Sequence, residues 1–152
     1  MGLLLGGVAG ALVLWLWPKK PKDPEAEVRA LVARIVAGAE ARDLGPLSDA
    51  MSEKFRGPGG TSKQEVKQIV AWQVLRNQET VAVFNPSLTV TVRGQEDAEL
   101  EGVFLFARTK VKRVDELQPE MVGSAYTIKA TLDKYDGEWK FTSATYERTS
   151  WP

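Results

Sequence analysis

The sequence predicts an α+β domain, helices first and an antiparallel sheet after them, preceded by one N-terminal transmembrane helix. Three observations carry this. Apolar residues recur at three- and four-residue spacing through the first half of the chain, they alternate beyond residue 80, and Gly2 to Trp17 has no charged or strongly polar side chain. A run of helices followed by a run of strands is the α+β pattern. The 152 residues divide accordingly into an anchor (1–17), a basic, proline-rich linker (18–24) and a domain (25–152) long enough for one buried core.

As a helix, the sixteen residues Gly2–Trp17 span about 24 Å, a little short of a hydrocarbon core of about 30 Å. Trp15 and Trp17 suit the headgroup layer, and Lys19 and Lys20 suit the phosphates beyond it. No basic stretch precedes the apolar run and no small-x-small cleavage site follows it, which favours a retained anchor over a cleaved signal peptide. Gly6 and Gly10 have the spacing of a close helix–helix contact, although glycine is common in membrane spans for other reasons. Lysines lie only on the C-terminal side of the span, so the expectation is a single-pass protein of a bacterial inner membrane with its domain in the cytoplasm. A periplasmic domain is the alternative.

The first helix of the domain is expected to open at Asp23, a good N-cap, with Pro24 in the first helical position. Val28, Leu31, Val32, Ile35, Val36 and Ala39 form its apolar stripe, and Gly38 weakens it. A short helix around Gly45-Pro46, an extended piece at Glu53–Arg56 and a corner at Gly57-Pro58-Gly59-Gly60 follow. The corner lacks the lysine-serine/threonine of a phosphate-binding loop. Ser62-Lys63-Gln64-Glu65 is a capping box opening a third helix to about Asn77.

Strand-like alternation then takes over. Val81–Phe84 reads as an edge piece or separate strand before Pro86, and Ser87–Arg93 as the strand after it. Ala98–Val111 has apolar residues on both faces, Val103, Leu105 and Ala107 on one, Phe104 and Phe106 on the other. Such a strand is covered twice, which makes Phe104 and Phe106 candidates for a dimer interface. Arg108, Lys110, Lys112 and Arg113 read as a solvated face. The chain closes with two alternating runs joined by Asp136-Gly137, the strongest short-range hairpin signal. Regular pairing from Tyr135/Glu138 places Leu132 opposite Phe141, Ala130 opposite Ser143, and Tyr126 opposite Glu147.

Composition removes several functions. Net charge is +0, so bulk charge gives no sign of nucleic-acid binding. The chain has neither cysteine nor histidine, which excludes disulfides, thiolate nucleophiles, histidine triads and ordinary zinc sites. No metal and no cofactor is expected.

The order of elements, with Leu47-Ser48-Asp49, Phe55-Arg56-Gly57-Pro58-Gly59-Gly60 and Tyr135-Asp136-Gly137-Glu138-Trp139-Lys140, resembles the nuclear transport factor 2-like superfamily. The resemblance covers about residues 25–150 and implies three helices packed on a curved antiparallel sheet, a cone. It also implies frequent homodimers, and it does not select an activity, because this cone serves enzymes, transport adaptors and secretion scaffolds.

The small pair Ala130 and Ser143 leaves the middle of the hairpin's apolar face open. Either a bulky residue such as Trp72 fills the gap or a cavity remains, and close packing favours the filled core. Trp72, Tyr126, Ala130, Ser143 and Glu147 are therefore the pocket candidates. The expected function is a non-enzymatic, membrane-anchored, homodimeric module that binds a protein or a small apolar ligand. An isomerase, dehydratase or cyclase is the first alternative, with Glu147 as base and Tyr126 steadying an enolate oxygen. A periplasmic secretion scaffold is the second.

Overall fold

The computed structural model describes residues 23–75 and 81–151. The anchor residues Gly6, Gly10, Trp15, Trp17, Lys19 and Lys20 lie outside them. Among the described residues no helix is long and apolar enough to cross a membrane.

Helix α1 (Pro24–Glu40) starts where the capping signal places it, with Asp23 Oδ1 accepting from the Glu25 N–H at 3.1 Å. Its apolar stripe is turned to the sheet, and Val28 has no exposed surface. Gly38 has a role beyond weakening the helix: a Cβ there would lie 2.7 Å from the Asp43 carbonyl oxygen and 3.1 Å from the Pro46 ring. Its absence lets the chain turn back tightly into α2 (Gly45–Ala50). Strand β1 (Met51–Arg56) follows at once, then the corner at Pro58–Gly60, where Gly59 and Gly60 take φ of 67° and 81°. The N-cap half of the box forms, with the Glu65 N–H donating to Ser62 Oγ at 3.2 Å and that hydroxyl donating to Glu65 Oε1 at 3.2 Å, and opens α3 (Lys63–Leu75).

Strands β2 (Val81–Arg93), β3 (Asp97–Arg108), β4 (Val122–Tyr135) and β5 (Glu138–Arg148) complete the sheet. Its order is β1-β5-β4-β3-β2. The sheet is mixed, not wholly antiparallel as expected: β1 runs parallel to β5, Met51 against Phe141. The reason is connectivity, since β1 belongs to the helical half and joins the far edge rather than folding back as a hairpin. Val81–Phe84 and Ser87–Arg93 are one strand, with an irregularity at Asn85-Pro86 that edge position tolerates.

The closing hairpin turns at Asp136 (φ 49°) and Gly137 (φ 80°), both left-handed as a type I′ turn requires. Pairing follows the expected register from Tyr135/Glu138 through Leu132/Phe141 and then departs from it. Thr142 is an extra residue, so Thr131 pairs with Ser143, Ala130 with Ala144, Ile128 with Tyr146, Thr127 with Glu147 and Tyr126 with Arg148. Thr131 Oγ1 lies 2.7 Å from Thr142 Oγ1 and 2.6 Å from Ser143 Oγ, so both hydroxyls sit on one side of the ribbon. This is a β-bulge stapled by side-chain hydrogen bonds.

One layer of core lies between the helices and the sheet, where Val28, Leu31 and Val32 meet Leu100, Phe104, Ala130, Leu132 and Trp139. Burying a side chain as completely as Leu132 stabilises by about 1.5–3 kcal/mol. A second cluster covers the opposite face: Leu105, Ala107, Ala82, Phe84 and Ala125 under Leu117, with Met121 and Trp151 against them. Strand β3 is thus covered twice by its own chain, through the 109–121 connection and the C-terminal segment.

Candidate functional site

A cavity of about 250 Å³ remains between the helices and the inner face of the sheet. Five groups of residues build it, each placed by a different piece of local structure. Val32, Ile35, Val36 and Ala39 come from the apolar stripe of α1. Leu44, Leu47, Met51 and Phe55 come from the turn, α2 and β1, and Val66, Ile69 and Val70 from α3. The sheet supplies Val83, Leu100, Phe104, Phe106, Ile128, Ala130, Phe141, Ala144, Thr145 and Tyr146, and the corner supplies Pro58 and Thr61.

Among the described residues no carboxylate, amine or guanidinium lines the cavity, and Thr61, Thr145 and Tyr146 carry its only side-chain oxygens. Thr61 Oγ1 already donates to the Pro58 carbonyl at 2.9 Å. Exposed Ile69 and Tyr146 mark where the cavity meets solvent. The Tyr146 ring stands edge-on to Tyr126, centroids 5.6 Å apart at 88°, and Tyr126 in turn stands edge-on to Phe106 at 6.1 Å and 76°. Three rings from β5, β4 and β3 thus form a row at one end of the sheet, a geometry that aromatic quadrupoles favour.

The pocket candidates read from sequence separate here. Ala130 lines the cavity. Tyr126 does not, but its ring supports two side chains that do. Trp72 is not a plug: it is 63% exposed on the outer side of α3, and the gap stays open. Ser143 lies on the other face of the sheet, beside Thr89, Thr91, Glu99, Glu101, Lys129 and Thr131, because the bulge shifts it opposite Thr131. Glu147 is exposed and pairs with Thr127 instead of Tyr126, so the expected acid–tyrosine couple is not formed. Phe104 and Phe106 face the helices and line the cavity, so they are not an outer contact surface.

On the β5 wall, Ala144 and Tyr146 are the residues that regular alternation misses. Regular alternation places Ser143, Thr145 and Glu147 inside; one extra residue brings Ala144 and Tyr146 there and takes Ser143 and Glu147 out, while Thr145 still touches the lining. The result is a lining less polar than simple alternation predicts. An apolar void of about 150 Å³ already accommodates benzene in an engineered case.

No family model matches the chain, and no curated protein matches it by sequence. Solved structures do match in shape. An NTF2-like protein with a cystatin-like fold from Novosphingobium aromaticivorans superposes with a TM-score of 0.62 at 19% identity, covering 93% of this chain and 88% of that one. Aln2 from a Streptomyces species gives 0.66 at 14% identity, covering 82% and 89%. The hexachlorocyclohexane dehydrochlorinase LinA-type3 from Novosphingobium barchaimii gives 0.61 at 13%, covering 82% and 86%. At such identities the likeness concerns the fold alone. Helices first, a strongly paired sheet after them and a cavity between the two make up the architecture of the present chain, which has the nuclear transport factor 2-like, cystatin-like fold.

Proposed function

We propose that the chain is a non-enzymatic binding module that holds a small apolar molecule inside the cone and is tethered to a membrane by its N-terminal segment. The observation that carries the first half is the cavity of about 250 Å³ with an almost wholly hydrocarbon lining. Ligand sites are concave and mostly apolar, with a few placed polar groups. The reading departs from the dehydrochlorinase's activity because a proton-transfer site needs a base within hydrogen-bond reach of the reacting atom. The nearest expected base, Glu147, is exposed and paired with Thr127. Support for the tether is the uncharged run Gly2–Trp17 followed by Lys19 and Lys20.

Equilibrium dialysis of toluene against the full chain, with the same mild detergent in both chambers, tests the site. Toluene is expected to bind the wild-type chain. Ala130→Leu and Ala144→Leu, which place side-chain volume in the void, are expected to weaken it at least about tenfold while holding or raising the thermal midpoint. Absence of toluene binding by a folded wild-type chain sinks the reading, as does equal binding by both filled variants. Carbonate extraction of membranes and a C-terminal reporter active in one compartment test the tether and its sidedness. Release of the chain by carbonate counts against an integral anchor.

A further inference from the structure

We propose that the molecule held in the cone is uncharged and carries one hydrogen-bonding oxygen set at the rim, and that the Tyr146 hydroxyl selects it. This rests on the apolar-site reading above and adds a ligand class and a specificity-determining residue.

The interior excludes charge. A carboxylate or ammonium drawn among Val36, Phe104, Phe106 and Ile128 finds no counter-ion among the described residues, and an ion buried without a partner is strongly disfavoured or changes its protonation state. One polar group can still be accommodated, and among the described residues one side chain suits it best. Thr61 has committed its proton to the Pro58 carbonyl and can only accept, and Thr145, which also touches the cavity, comes from the β5 position paired with Lys129. Tyr146 is different. It sits where the cavity opens, half its surface is in solvent, and among the described residues its hydroxyl has no hydrogen-bond partner. Its ring is held on edge by Tyr126, which Phe106 holds in turn, so the hydroxyl is positioned rather than loose. A phenol both donates and accepts, so it suits a hydroxyl or carbonyl oxygen equally. The ligand then points its hydrocarbon body inward and its oxygen outward to Tyr146 and water.

Four probes of one ring size separate the outcomes: toluene, benzyl alcohol, benzoate and benzylammonium, each dialysed at pH 7 against the full chain in detergent. Benzyl alcohol is expected to bind at least about tenfold more tightly than benzoate or benzylammonium, because an ionic group at the mouth gives up hydration against Ile69 and the hydrocarbon lining and meets no counter-ion among the described residues. Tyr146→Phe is expected to weaken benzyl alcohol about fivefold, the loss of one net hydrogen bond, and to leave toluene within about twofold. A merely structural role for Tyr146 moves toluene and benzyl alcohol together, and that result overturns the assignment. Benzoate binding as tightly as the alcohol overturns the neutrality claim, and so does benzylammonium binding more tightly, which would make the aromatic rim a cation site. If toluene itself does not bind, the apolar-site reading fails, and this inference fails with it. If toluene binds and the other contrasts vanish, only the inference fails.

Discussion

Trp139 donates its indole N–H to Glu27 Oε2 at 3.0 Å, joining the tip of the closing hairpin to the first turn of α1. Trp139 is buried, and Lys134 Nζ lies 3.6 Å from the same carboxylate oxygen and 5.6 Å from the centre of the indole ring. The chain's first described helix and its last two strands meet at this point. Glu27→Ala leaves a buried N–H without its acceptor and is expected to cost about 1–3 kcal/mol. Glu27→Gln keeps an acceptor oxygen and is expected to cost less. Urea denaturation followed by far-ultraviolet circular dichroism ranks the two, and the reverse order would refute the hydrogen bond's role.

The irregularity in β2 has its own clamp. Asn85 Nδ2 donates to the Ser87 and Val103 carbonyl oxygens, both at 2.8 Å, where the β2–β3 ladder breaks between Phe84 and Ser87. Asn85→Ala removes both donors and is expected to destabilise by about 1–3 kcal/mol. Amide exchange at residues 103–105 should accelerate in the variant before exchange at the β4–β5 hairpin does.

Gly102 is the tightest position in the middle of the sheet. A Cβ there would lie 3.0 Å from both Leu88 Cδ1 and the Ser87 carbonyl oxygen, and 3.1 Å from Phe104 Cε2. The carbonyl is backbone and cannot rotate away, so Gly102→Ala is expected to cost about 1–3 kcal/mol through overpacking. Pairing it with Leu88→Ala relieves only one of the three contacts, and recovery should be incomplete. Full recovery in the thermal midpoint would show that the side chain alone sets the limit.

Glu53 and Lys63 make the clearest electrostatic pair. The Lys63 ammonium lies 3.0 Å from Glu53 Oε1, and its hydrogen bond, with its charge second, holds the Glu53 carboxyl below the usual glutamate range. Because the folded-state pKa is depressed, the pair contributes at neutral pH, and its contribution is lost as pH falls through the folded value. Glu53 is almost fully exposed, so salt screens the pair and its effect on stability is small. Carbon-detected titration of the Glu53 carboxyl is expected to show an upward shift in Lys63→Met. An unchanged titration would assign the depression to another group.

Much of this architecture is legible in the residues themselves. Asp23-Pro24, the Ser62 cap and Asp136-Gly137 are local signals whose chemistry acts within a few residues, and each forms where it is read. The stripe from Val28 to Ala39 works for the same reason, since one face of a helix is set by spacing alone. What is hidden depends on distant partners. The parallel docking of β1 leaves no trace in Met51–Arg56, and the two-sided covering of β3 reads equally as a subunit contact until Leu117 and Trp151 are seen over it. The cavity is half legible: its helical wall follows from periodicity, whereas its β5 wall depends on where Thr142 is absorbed.

That extra threonine separates chain length from interior identity. Every residue beyond it keeps the β4 neighbour it would have in a polypeptide one residue shorter, because Ser143 meets Thr131 whether or not Thr142 stands before it. Excising Thr142 therefore leaves Ala144 and Tyr146 looking inward, and adding a second residue that the bulge does not absorb turns them out. Tolerance to insertion and deletion at this point of β5 is thus asymmetric, and the asymmetry registers whether the hollow of the cone has kept its oily wall.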